Sequence, residues 1–124
     1  MKAMQPKDLP GLFLEGLNSS AVDSVVSLYE VDGKIASDPN DPVSGRESIR
    51  SMITDFLGQK PRFVLHNSEV VQSGDIALIR SNWTLTLHDS AGKKQEMNLM
   101  PTLVARRQPD GRWLVVIDRP VSNS

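Results

Sequence analysis

The stretch SGDIALIRSNWTLTLH, residues 73–88, decides the fold. Its period is two. Ala77, Ile79, Trp83, Leu85 and Leu87 fall on one face, and Arg80, Asn82, Thr84, Thr86 and His88 on the other. That alternation is the mark of a long strand with one apolar face. Similar segments surround it. Arg62 to Gln72, Lys94 to Arg107 and Arg112 to Arg119 also read as strands. Short turns separate them: Ser73-Gly74, Asp89-Ser90-Ala91-Gly92 and Pro109-Asp110-Gly111, with Gly or Asp where positive φ is needed. The second half is therefore expected to be an antiparallel meander.

The third strand has apolar residues on both faces: Met97, Leu99, Pro101 and Leu103 on one, Met100 and Val104 on the other. In the last strand Trp113, Val115 and Ile117 oppose Leu114 and Val116. A sheet with one wet face should not look like this. Helices are expected on one face and a second copy of the chain on the other.

The first half has helical periodicity. A helix is expected from about Asp8, its cap, to Asn18, with Pro10 in the first turn and Leu9, Leu12, Phe13 and Leu17 on one face. A second is expected to start at Ser20, with Asp23 completing a capping box and Val22, Val25, Val26 and Tyr29 in register. The third has the clearest stripe: Ile49, Met52, Ile53, Phe56 and Leu57, behind a Ser44 to Glu47 capping box and before a Gly58 stop. A short strand is expected around Lys34 to Ser37, followed by an irregular loop. Helices first and strands after imply α+β rather than alternating α/β.

Bulk composition narrows the function classes. The 124 residues fit one domain. Hydrophobic residues make up 39% and charged residues 23%, a globular balance. The net charge of −1 carries no footprint for nucleic acid or an anionic membrane. The absence of cysteine excludes disulfides, thiol catalysis and Cys-ligated zinc. The start lacks the apolar core of a signal peptide and no apolar run approaches transmembrane length, so a cytoplasmic location is the default expectation.

The order helix, helix, short strand with Asp-Pro, capped helix and long strands resembles the NTF2-like (ketosteroid isomerase-like) superfamily. LYEVDGKIASDPNDPVSGRESIRSMI (residues 28–53) is similar to its segment around a G-R-E-x-I helix start. SGDIALIRSNWTLTL (73–87) and PDGRWLVVIDRP (109–120) resemble strands of the SnoaL-like and DUF4440 / SgcJ-EcaC-type branch. The resemblance covers roughly Leu9 to Pro120. It implies a cone-shaped, curved sheet around a pocket, a cystatin-like fold, and commonly a homodimer. Activity does not follow from fold.

Against the isomerase pattern, a carboxylate base with a Tyr and a protonated Asp as oxyanion donors, the resemblance puts Asp38 at the base. Phe13 then stands at the Tyr position and Leu103 at the second acid. A base without these donors lacks the stabilisation an enolate needs.

Three groups are candidates for proton chemistry. Asp38 is a general base if it faces an apolar pocket, or a turn-capping loop carboxylate if it does not. Asp118 is expected to face the pocket with Arg80 and Asn82 as its partners, either as a polar cluster that orients a ligand's carbonyl or carboxylate or as a satisfied internal ion pair or hydrogen-bond network. His66 is mid-strand and could transfer protons; its competing role is structural. Phe13, Arg80, Asn82, Leu99, Leu103 and Val116 are the expected ligand-binding set. Trp83 and Trp113 read as core or interface. Two histidines and scattered acids lack metal-ligand spacing, and no cofactor motif appears. The function expected is binding of a small, largely apolar molecule. Isomerase or dehydratase chemistry is one elaboration; a non-catalytic binder or an assembly domain is the alternative.

Overall fold

The computed structural model describes residues 2–120. Three helices lie in the first half: α1 (Leu9–Asn18, after a 3-10 turn at Pro6–Asp8), α2 (Val22–Val26) and, after two strands, α3 (Arg46–Leu57). The strands are β1 (Tyr29–Ile35), β2 (Val43–Ser44), β3 (Arg62–Ser73), β4 (Ile76–His88), β5 (Lys94–Leu99), β6 (Thr102–Arg107) and β7 (Trp113–Arg119). They form one sheet in the order β2-β1-β7-β6-β4-β3, with β5 beside the second half of β4. The fold is α+β, as expected. The sheet is mixed rather than wholly antiparallel, because β1 runs parallel to β7.

Local chemistry explains where boundaries depart from expectation. Ser20 takes a left-handed φ of 56° and closes the turn after α1, so α2 starts at Val22. Tyr29 leaves the helical register and begins β1, which starts well before Lys34. Gly45, at φ 87°, precedes α3 in place of a Ser44 cap; the Ser44 hydroxyl accepts from Lys34 Nζ instead. Gly58 stays right-handed, and Lys60 makes the left-handed turn. Asp8 accepts from the Gln5 N–H and so stabilises the 3-10 turn rather than capping α1 directly.

The expected third strand is two strands. Pro101 has no N–H for the ladder, and pairing with β4 shifts from β5 (Trp83↔Leu99) to β6 (Arg80↔Thr102) across this point. A second irregularity lies in β7. Val104 pairs with Ile117 but Ala105 pairs with Val115, so Val116 is the extra residue of a bulge. The bulge resets the alternation. Val115 faces inward, Ile117 turns out and is 40% exposed, and Asp118, opposite Leu103, turns in.

The core fills the space between the helices and the inner sheet face. Leu9 and Phe13 of α1, Val25 and Val26 of α2, and Ile49 and Ile53 of α3 meet Ile79, Ala105 and Val115. Each fully buried aliphatic side chain contributes about 1.5–3 kcal/mol. Asn18 fastens α1 to the sheet. Its Nδ2 donates to the Phe63 carbonyl and its Oδ1 accepts from the Phe63 N–H, both at 2.9 Å.

Candidate functional site

Packing among the described residues leaves a gap in this core. A cavity of about 300 Å³ opens between the helices and the sheet. Phe13, Leu17, Met52 and Phe56 come from the helices; Trp83, Leu85, Leu99 and Leu103 come from the sheet. The wall is apolar with few exceptions, of which Tyr29 and Asp118 carry ionisable groups.

Those two are bonded to each other. Tyr29 Oη donates to Asp118 Oδ2 at 2.7 Å. Asp118 Oδ1 is buried and has no partner among the described residues. A carboxylate so placed loses its hydration. Burial lifts the Asp118 carboxyl from the ordinary 3.8 to about 6, and the Tyr29 bond, which favours the anion, offsets only part of this. Burial, reinforced by the neighbouring Asp118, also raises the Tyr29 phenol well above its usual value. Tyr29 therefore remains a protonated donor across the neutral range.

Surrounding contacts hold the pair. Arg46, at the start of α3, donates twice to the Tyr29 carbonyl, at 3.0 and 2.6 Å. Arg119 Nη1 donates to the carbonyls of Ala36 and Ser37, which ties the loop after β1 to the end of β7. The Phe13 ring meets Tyr29 edge-on with centroids 5.4 Å apart. Farther along, Phe56, Phe63 and Trp83 form a second edge-to-face series. The Trp83 Nε1–H is the other buried polar atom with no partner among the described residues.

Of the residues expected in the pocket, Phe13, Leu99, Leu103 and Asp118 line it. Asp38 does not. It is exposed in the loop after β1, where its Oδ1 accepts from the Asn40 N–H at 2.9 Å. That is the turn-capping role. Arg80 and Asn82 lie on the outer sheet face, because they alternate with inward-facing Ile79, Ser81 and Trp83. Asn82 donates to Asn67 Oδ1 across β3. Neither can serve as the Asp118 partner. His66 occupies an irregularity in β3 and bonds Thr84 Oγ1 at 2.7 Å, also outside. Val116 is the bulge residue of β7 and does not line the cavity. Among the described residues, no group of three or more His, Cys, Asp or Glu could hold a metal.

Comparison with known proteins identifies the family and the fold. A family model described as a SnoaL-like domain matches residues 12–116, from α1 into β7. The chain belongs to the SnoaL-like domain family. No protein of curated function matches it. Among solved structures, a protein from Xanthomonas campestris provisionally described as a calcium/calmodulin dependent protein kinase II association domain is 27% identical. Its TM-score is 0.79, over 94% of this chain and 84% of that one. A ketosteroid isomerase-like protein from Erwinia carotovora atroseptica is 19% identical, with TM-score 0.81 over 95% and 93%. An NTF2-like protein with a cystatin-like fold from Novosphingobium aromaticivorans is 19% identical, with TM-score 0.74 over 89% and 74%. The last two similarities speak for the fold alone.

In this SnoaL-like domain, sequence reading missed Tyr29 as the site's phenol. It sits seven residues after Val22 and continues the α2 pattern, which hid its place at the head of β1. One signal was available. Tyr29 is the only tyrosine, and buried tyrosines usually find a hydrogen-bond partner.

Proposed function

We propose that this SnoaL-like domain binds a small, largely apolar molecule in the cavity and exchanges a proton with it through Asp118. The observation that carries this reading is the buried, unpartnered Oδ1 of Asp118 in an otherwise apolar wall. A carboxyl group titrating at about 6 is near-ideal for the task at neutral pH. Its anion can take a proton from carbon, and its neutral form can give one to oxygen. Tyr29 stabilises the anion and fixes the orientation of the carboxyl plane. Isomerisation or dehydration of a carbonyl compound is the reaction class this pair suits. The site differs from the ketosteroid isomerase pattern, in which the base would be Asp38.

The test is hydrogen–deuterium exchange at the carbon beside the carbonyl of small lipophilic ketones, followed by NMR with the wild type and Asp118→Asn. Exchange that depends on Asp118 supports the proton-transfer reading. Saturable binding without exchange leaves a non-catalytic binder.

A specific observation favours a second property, self-association. Val71, Leu78, Val104 and Ile117 make a continuous apolar row across β3, β4, β6 and β7 on the outer face. Val71 is 67% exposed and Leu78 41%. A second copy covering this row would explain why β6 and β7 carry apolar residues on both faces.

A further inference from the structure

The cavity wall holds two buried polar atoms without partners among the described residues, Asp118 Oδ1 and the Trp83 indole Nε1–H. Such atoms are rare in folded proteins and each calls for a partner. The two are far apart in the sheet. Asp118 stands opposite Leu103, which stands opposite Ile79. Trp83 lies farther along β4, opposite Leu99. The offset from Ile79 to Trp83 is about 13 Å of strand at about 3.3 Å per residue. Each atom has its own aromatic surroundings: Phe13 and Tyr29 at the Asp118 end, Phe56 and Phe63 at the Trp83 end. Their separate positions along the sheet call for a separate polar group at each.

We infer that the ligand is two-ended, an apolar skeleton with a hydroxyl at Asp118, either its own or the enol of a carbonyl that exchanges its proton there, and a second oxygen, carbonyl or ether, at Trp83. This rests on the cavity being the ligand site. The chemistry of each end follows from its atom. An indole N–H only donates, so it takes an acceptor. The free carboxyl oxygen accepts when ionised and donates when protonated; a hydroxyl meets both needs, whereas an ether or carbonyl meets only the second. Between the ends the wall offers Leu85, Leu99, Pro101 and Leu103, which match hydrocarbon. A cavity of about 300 Å³ accommodates roughly ten to fifteen non-hydrogen atoms, on the scale of about 30 Å³ per liquid water. The ligand class is a small hydroxy-ketone or hydroxy-ether, aromatic or aliphatic.

Four matched probes test this on the full chain by calorimetric titration: 4-(4-hydroxyphenyl)butan-2-one, 4-phenylbutan-2-one, 4-butylphenol and butylbenzene. Each polar function is expected to tighten binding by roughly tenfold. Trp83→Phe is expected to abolish the ketone's increment and keep the hydroxyl's. Asp118→Leu is expected to do the reverse. If Trp83→Phe does not fold, the wild-type Trp83 indole N–H resonance replaces it. It should move downfield with the two ketones only; an equal response to all four probes overturns the assignment. Equal affinity for the hydroxy-ketone and butylbenzene overturns the two-ended ligand while leaving the cavity an apolar site. Failure of all four to bind overturns the site itself.

Discussion

Tyr29 Oη and Asp118 Oδ2 meet at 2.7 Å across 89 positions of sequence, the first residue of β1 bonded to the penultimate residue of β7. Parallel pairing of these strands brings the two together, and the bulge at Val116 turns Asp118 inward to complete the contact. The bond holds one carboxyl oxygen and leaves the other to the cavity.

The raised Asp118 pKa makes stability depend on pH. In the unfolded chain this carboxyl ionises near 3.8; in the native state it keeps its proton to about 6. The native state is thus favoured below about pH 4. That advantage is lost as pH rises through 6, and above it both states are ionised. The difference amounts to about 3 kcal/mol. Other carboxylates titrate in the same range, so the comparison is with Asp118→Asn, whose carbonyl oxygen still accepts from Tyr29. Between pH 4 and pH 7.5 the variant should gain about 2 kcal/mol on the wild type in urea unfolding. A difference independent of pH would contradict the burial of the charge.

Tyr29→Phe removes the only side-chain bond among the described residues that favours the Asp118 anion. The carboxyl should then titrate above 6, visible in its carbon-13 chemical shift. Stability should fall by about 1–3 kcal/mol, from the lost bond and the second orphaned oxygen. A titration that moves downward would show another group supporting the anion.

Helix, helix and sheet were legible where pattern and structure share one period. The α3 stripe from Ile49 to Leu57 and the alternation of β4 both hold in three dimensions. The β7 phase was not legible, because a bulge leaves no mark in composition and one extra residue inverts everything after it. The site was half legible. Asp118 stood out as a charge amid apolar residues, but its assigned partners contradicted the β4 alternation that places Arg80 and Asn82 outside. At Asp38 the resemblance pointed to a base, whereas Asp-Pro-Asn is turn chemistry, and the structure has an Asx turn there.

Asn18 gives a test of how the wall is positioned. Its amide substitutes for a neighbouring strand at Phe63, whose ring borders the cavity. Asn18→Ala should cost about 1–3 kcal/mol in thermal or urea unfolding. It should also weaken butylbenzene binding, since Phe63 loses its anchor. Unchanged stability would show that water replaces both bonds freely.

On the outer face, Leu78→Glu places a charge in the middle of the row from Val71 to Ile117. If that row joins two copies, light scattering should show a dimer for the wild type at micromolar concentration and a monomer for the variant. Far-UV circular dichroism should match for both. A monomeric wild type would remove the self-association reading without touching the cavity.

The central claim is that the free oxygen of Asp118 is the polar anchor of a ligand site. A crystal structure of the protein soaked with a panel of small lipophilic ketones and alcohols tests it most directly. The account predicts density in the cavity with an oxygen within about 3.2 Å of Asp118 Oδ1. A cavity closed by its own side chains, or one that binds the panel with no polar atom near Asp118, would contradict it.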